Sequence, residues 1–375
     1  MNLYNVFLWL FLFKILLVIF FSVKFRMNAK RRKVVKYTPD ISILVPAFNE
    51  DICLTKTLDS IISNPYFANT NSEIIVLDDG STDSTALICA EYSAKNKRVF
   101  GVLKDNSGKA DTLNQGIEFS KHEIILCVDA DSTLSRDSIA NGVRYFLDEK
   151  IGAVSGVAYP SRVKSLLEVS QYLEYSFGQE VEKQMQSAVN CILVIPGAIG
   201  FFRKSAVLGI GGYKTDTLTE DFDLTLELQV NDWKVTLDNS CISYTEVPNS
   251  LSDLFKQRVR WMSGNFQTLL KYKKHFLDGT VLGSVMLPYS LIVGVLLAFF
   301  APILMMLFLF LNPVVFLLWC LSEIIFQLYA KRDGFFYLAP IQRLFQMFFN
   351  FYVVWVSLFK FRKNHTWDKL KRTGV

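Results

Sequence analysis

The chain has 375 residues, a formal net charge of +5, 51% hydrophobic residues and 32 Phe. That is long enough for one sizeable soluble domain plus membrane segments, and too apolar for an ordinary soluble protein of this length. Six cysteines (Cys53, Cys89, Cys127, Cys191, Cys241 and Cys320) form no close pair, and there are three His, so a disulfide framework and a zinc site are both excluded. A reducing, cytosolic setting for the soluble part fits.

Taken in chain order, the first predicted element is the apolar run Val6 to Val23, long enough to cross a hydrocarbon core as a helix. It lacks a basic start and a small-residue cleavage site, so residues 1–24 read as a retained transmembrane anchor rather than a signal peptide. Lys14 near its middle is expected to face protein or water. The basic block that follows (Lys24, Arg26, Lys30, Arg31, Arg32, Lys33, Lys36) reads as a juxtamembrane linker, residues 25–37. Beside a hydrophobic segment it is a cytoplasmic flank rather than a nucleic-acid patch, and it puts the next domain in the cytoplasm.

Residues 38–250 read differently. Short apolar runs at 41–46, 73–78, 99–103 and 123–129 alternate with helical lengths such as Ser84 to Lys97 and Lys109 to Ser120. This predicts an α/β domain with a mostly parallel sheet. Ligands of such sheets bind where strand carboxyl ends meet their loops. Polar signatures sit at three of those ends: "PAFNE" after the first run, "DDGSTD" after the second, "DAD" after the fourth.

Each signature has a bland and a chemical reading. In "VLDDGSTDST", Gly80 makes a sharp turn and Asp83 or Ser84 caps a helix, while Asp79 can accept from the donor groups of a nucleotide. "SGKADTLNQGI" lacks the glycines of a Walker loop, yet Lys109 at a helix start can contact a diphosphate. Asp129 and Asp131, one residue apart at a strand end, suit a hard divalent ion, Mg2+ or Mn2+, that bridges two phosphates. "LTEDFDLTLEL" opens a helix with Thr219 as cap and three acids in its first turn. These can simply complement the helix dipole; alternatively Asp221 is a general base, supported by Glu220 and Asp223.

Beyond the domain lies "QRVRWMSGNFQ", which places two arginines and a tryptophan in five positions, within residues 251–280, read as interfacial helices. Residues 281–330 read as two transmembrane helices broken at Leu311 to Pro313. The run Phe335 to Phe359 contains Gln342, Arg343, Gln346 and Asn350, and a crossing there would put the basic tail outside, so residues 331–375 read as an interfacial or re-entrant segment plus tail.

Together with the Gln-x-x-Arg-Trp set of Gln257, Arg260 and Trp261, these signatures resemble the membrane-bound family 2 glycosyltransferases, which include synthases of poly-N-acetylglucosamine, chitin, hyaluronan and cellulose. The resemblance covers roughly residues 38 to 330. It implies a GT-A fold flanked by transmembrane helices, an inverting mechanism and a nucleotide-diphosphate sugar donor with a divalent metal. Carried over, Ala47, Glu50, Asp79 and Lys109 would hold the nucleotide, and Asp129 and Asp131 the metal and diphosphate. Asp221 would be the base, and Gln257, Arg260 and Trp261 the acceptor end and diphosphate clamp.

The chain departs from some relatives. It has one N-terminal span where several have two, and it lacks the Phe-x-Val-Thr-x-Lys signature of cellulose synthases. Its tail "HTWDKLKRTG" is similar to tails of the poly-N-acetylglucosamine branch and of non-processive glycolipid enzymes. The leading expectation is transfer of N-acetylglucosamine from its UDP form onto a growing polysaccharide, at the cytoplasmic face of a multi-pass membrane protein, coupled to export through accessory subunits. Single transfer to a lipid or lipid-linked acceptor is the alternative within enzymes. A scaffold or sensor that has lost catalysis is the alternative outside them. Nucleic acid is not an expected partner.

Overall fold

A computed structural model describes residues 37–311, 313–330 and 334–361, together with 16, 20, 21, 23–25, 27 and 374. The expected anchor and basic linker therefore lie almost wholly outside the described residues, as does the tail beyond Phe361 apart from Gly374.

The four apolar runs are strands: β1 (Ile41–Ala47), β2 (Glu73–Asp79), β3 (Val99–Lys104) and β4 (Ile124–Cys127). They pair in parallel in the order β3-β2-β1-β4. Parallel strands need crossovers, and these are the helices α1 (Leu54–Ile62), α2 (Thr85–Lys95) and α3 (Lys109–Phe119). Alternation along a strand sends neighbouring side chains to opposite faces. Ile41, Ile43 and Val45 of β1 pack with Leu54, Leu58 and Ile61 of α1, while Leu44 packs with Leu113 and Ile117 of α3. Both faces are covered, which is why β1 and β2 read as continuous apolar runs rather than alternating ones.

The rest of the sheet adds antiparallel strands to a mostly parallel arrangement. Beyond β4 come β7 (Gly200–Arg203), β6 (Ile151–Pro160), β8 (Lys234–Thr245) and β5 (Ser132–Leu134), completing eight strands in the order β3-β2-β1-β4-β7-β6-β8-β5. β7 runs antiparallel to both β4 and β6, and β5 antiparallel to β8, while β6 and β8 pair in parallel, so the sheet is mixed. β7 has four residues and β5 three, too short to stand out by periodicity.

Over this half lie α4 (Leu166–Phe177), a π-helical turn Gly178–Glu182 and α5 (Lys183–Ala188). α6 (Glu220–Val230) fills the acidic segment and α7 (Leu251–Lys271) carries the Gln-x-x-Arg-Trp set. α4 starts on a capping box in which Ser165 and Glu168 satisfy each other's backbone N–H groups. Ser84 and Thr219 occupy cap positions without a side-chain capping bond. The acceptor at the α2 start is instead Asp83, which takes the Thr85 N–H at 2.9 Å.

After α7 the chain is helical from Leu282 to Leu311, with π-wound turns at Leu282–Met286 and Ser290–Leu297 and an α-helical end, α8 (Ala298–Leu311). Pro288, which has no N–H to donate, lies between the two wide turns. α9 (Pro313–Ala330) begins on its proline, a position where the missing N–H costs nothing. α10 (Ala339–Lys360) packs on α7, α8 and α9. Of the polar residues that set this last segment apart, Arg343 faces protein: it pairs with Glu323 of α9 at 3.3 Å and lies over the Phe177 ring of α4, while the buried Gln342 donates to Gln346.

Candidate functional site

The loops after β1 and β2 are laced together. The Asn49 N–H donates to Ser81 Oγ and Thr82 N–H to Asn49 Oδ1, both at 2.7 Å, and Glu50 N–H donates to Thr85 Oγ1 at 2.8 Å. The turn at Gly80 has φ +75°, and a Cβ there would stand 2.8 Å from the Asn106 backbone nitrogen, so glycine is required. Asp79, buried at the end of β2, accepts from the Ser107 and Gly108 N–H groups at 2.9 Å each and from Lys104 Nζ at 2.5 Å. Its carboxylate thus shapes the loop that delivers Lys109. Ala47 and Glu50 are buried alongside.

Lys109 Nζ is the hub of the adjoining cleft. It donates to Asp129 Oδ1 at 2.6 Å and lies 3.5 Å from Glu220 Oε1. Burial works against its charge, but Asp129 and Glu220 outweigh it and hold the ammonium well above its ordinary pKa. The cleft is lined by Lys109, Asp129, Gly197, Tyr213, Glu220 and Asp221, among others. Asp131 is not among the lining residues; it accepts from Ser132 Oγ at 3.1 Å and Thr245 Oγ1 at 3.2 Å.

Asp221 takes the Phe222 N–H at 2.8 Å. Burial first, and the like charge of Glu220 second, push its carboxyl up to about 6, opposed by Lys109, the Phe222 N–H and Arg260. Asp223 does not join it, contrary to the expected supporting charge. Positions two apart on a helix point to different faces, and Asp223 is buried against Lys271 of α7 at 2.9 Å.

None of the Gln-x-x-Arg-Trp residues is in the cleft lining, and of the three Arg260 reaches the start of α6. Arg260 Nη1 donates to the Leu218 carbonyl at 3.3 Å and its charge reaches Asp221. Gln257 accepts from Arg258, whose guanidinium lies 4.2 Å from the centroid of the half-buried Trp261 ring.

Several participants escape sequence reasoning. Gly197 brings the segment before β7 onto the acid pair, its carbonyl accepting the Asp129 N–H at 3.1 Å. The Pro196–Gly197 dipeptide is a loop signal that marks it. Tyr213 reaches Cys127 Sγ at 3.7 Å from behind. Lys183 is buried with Ser155 Oγ as hydrogen-bond acceptor at 3.1 Å, and burial pulls it down to about 7 despite the pull of Asp221. Nothing in its sequence neighbourhood announces it.

Asp129 and Asp131 offer two hard oxygen donors, and among the described residues no three His, Cys, Asp or Glu cluster to cage an ion. Such a pair fits Mg2+ or Mn2+, which keep positions for water and substrate phosphate. Lys109 against Asp129 shows that a cation is already accommodated there.

Residues 42–208 match the family described as Glycosyl transferase family 2. The poly-beta-1,6-N-acetyl-D-glucosamine synthase of Staphylococcus aureus (strain COL) is 31% identical over 251 residues, 67% of this chain and 60% of that protein. The synthase of the same name from Staphylococcus epidermidis is 34% identical over 232 residues, 62% of this chain and 56% of that protein. The matches thus span less than two thirds of the length of these curated relatives. A solved mannosyltransferase from Pyrobaculum calidifontis, in complex with GDP-Man and Mn2+, has the same fold at a TM-score of 0.65 and 18% identity, covering 92% of this chain and 96% of that one. With Lys109, Asp129, Glu220 and Asp221 lining one cleft of a mixed α/β sheet, residues 42–208 are a family 2 glycosyltransferase domain, and the fold is GT-A.

Proposed function

We propose that this chain is an inverting glycosyltransferase that moves N-acetylglucosamine from UDP-GlcNAc onto a growing polysaccharide at the cytoplasmic face of a membrane. The observation that carries the reading is the single charged cleft in which Lys109, Asp129, Glu220 and Asp221 meet. The sugar and the polymer are taken from the names of the staphylococcal relatives. The membrane setting is supported by the long apolar helix Leu282–Ile303 and the shorter apolar helix Phe316–Ala330.

In this reading the acceptor hydroxyl attacks the anomeric carbon from the face opposite the diphosphate. The new carbon–oxygen bond forms as the bond to the diphosphate breaks, the hydroxyl proton passes to Asp221, and UDP leaves. Asp221 suits this task because burial and Glu220 raise its basicity toward neutrality. Lys109 and Arg260 are the cations placed to hold the diphosphate. Ala47, Glu50 and Asp79 form the nucleotide end, and Gln257 and Trp261 the acceptor end. A divalent ion on Asp129 and Asp131 would stabilise charge on the leaving diphosphate.

The test is product analysis after incubating purified full-length protein in detergent with a panel of labelled UDP-sugars, short N-acetylglucosamine oligosaccharides, and Mg2+ or Mn2+. Metal-dependent lengthening with UDP-GlcNAc is the expected result. A single added sugar on a lipid acceptor would favour the glycolipid reading, and no transfer from any donor would overturn catalysis.

A further inference from the structure

Arg258 is the arginine of "QRVRW" that the family signature leaves unspecified, and it is 6% exposed. A buried guanidinium is costly unless its donors are paired. Here Nη2 donates to Glu174 of α4 at 2.9 Å and Nη1 donates to Gln257 Oε1, with Tyr175 close enough to act on the same charge. Two partners, one from each helix, fix the plane of the fork. Trp261, three positions along α7 and so on the same helical face, lies with its ring centroid 4.2 Å from that plane's central carbon. Tyr175, next to Glu174, lies within electrostatic reach of Asp131.

We infer that Glu174 and Arg258 position the Trp261 ring, and through it the acceptor sugar, in the reaction proposed above. Neither residue touches the reacting atoms. Glu174 sets the guanidinium, the guanidinium covers one face of the indole, and the indole's exposed part is left as the platform on which a sugar ring stacks. An ion pair that merely joined α4 to α7 would stabilise the protein without touching acceptor affinity selectively. A positioning pair makes Trp261 dependent on Arg258. Lysine in place of Arg258 keeps the charge but lacks the planar fork, so the ring loses its backing while the charge balance survives.

The experiment is a double-mutant cycle on the full-length protein in detergent, with UDP-GlcNAc as donor and short β-1,6-linked N-acetylglucosamine oligosaccharides as acceptor. Arg258→Lys is expected to raise the acceptor KM about tenfold, the scale of losing one well-formed ring contact, with donor KM and kcat within about threefold of the parent. In a Trp261→Ala background the same change should alter the acceptor KM less than about twofold, because the element it acts through is gone. Glu174→Gln gives the same cycle if Arg258→Lys folds poorly. Equal losses in both backgrounds, or parallel losses for donor and acceptor, would overturn the inference and leave a structural ion pair. Absence of transfer by the parent would overturn the functional reading and this inference with it, whereas an active parent with an unaffected Arg258→Lys overturns the inference alone.

Discussion

Asp221→Asn should do two opposite things at once. Asparagine keeps the size of the side chain but cannot take up the acceptor proton, so transfer should fall by about 10²–10⁴-fold, the usual contribution of a general base. Stability should move the other way. Burial and Glu220 push the Asp221 carboxyl from 3.8 up to about 6. A group whose native pKa is raised takes up a proton on folding between those values, so stability is lost as pH rises from about 4 to about 6. The displacement corresponds to about 3 kcal/mol at 1.36 kcal/mol per tenfold. Partial solvent access trims this to about 2 kcal/mol. The neutral amide is spared that cost, so at pH 7.5 the variant should melt about 4–8 °C above the parent. Its midpoint should also lack much of the parent's fall between pH 4 and 6. Thermal melts in detergent, set beside transfer rates with labelled UDP-GlcNAc, read both effects. A variant that transfers sugar near the parent rate refutes the base assignment. One that melts below the parent at pH 7.5 refutes the argument from burial.

Asp131→Asn removes one of two hard ligands, so half-maximal transfer should need about tenfold more Mn2+, read by metal titration of the rate; an unchanged titration would take Asp131 out of the metal site. Gly197→Ala would place a Cβ 2.6 Å from Lys109 Nζ and 2.9 Å from the Asp129 carboxylate oxygens. Calorimetric titration should then show UDP affinity down about tenfold, as the displaced ammonium no longer meets the diphosphate. For Lys183, burial depresses the native pKa to about 7, so the folded protein sheds a proton and stability rises as pH climbs from about 7 toward 10.5. Lys183→Met should raise the melting temperature most at pH 6–7, with the gain shrinking toward pH 10; a pH-independent difference would count against a charge-burial cost.

The parallel half of the fold was legible because burial on both faces leaves unbroken apolar runs, and strand ends leave polar loops. The runs at 41–46 and 73–78 match β1 and β2 to within a residue at their ends. The acidic segment at 218–228 is α6, offset by two residues. Side-chain duties within a signature were harder to read. Asp221 and Asp223 look equivalent in sequence, but helical geometry sends one to the cleft and the other to Lys271. Asp79 looks like a free acceptor, yet its oxygens are taken by the loop before Lys109. Arg258 was hidden because a buried pair with Glu174 depends on how α4 crosses α7, which no local pattern encodes.

The short antiparallel strand β7, illegible to periodicity, is also what assembles the cleft. Asp129 lies two residues past β4, and Asp221 opens a helix far along the chain, so nothing local brings them together. β7 does so by pairing antiparallel with β4: Cys127 stands opposite Gly200, and the chain entering β7 must therefore pass the end of β4. That forces Gly197 against Asp129, close enough for its carbonyl to accept the Asp129 N–H. The same segment anchors α6, because the Ile195 N–H donates to Thr225 Oγ1 at 3.1 Å. One short stretch of extended chain thus touches the acid pair at one end and the helix of Asp221 at the other. Lys109 closes the circuit by pairing with both Asp129 and Glu220. If this account is right, Gly197→Ala should weaken UDP binding and also shift the acidic limb of the rate–pH profile upward from about pH 6, because a displaced Lys109 no longer helps to hold Asp221 ionised. A variant that loses UDP affinity with an unmoved acidic limb would show that Lys109 serves the donor without sensing the base.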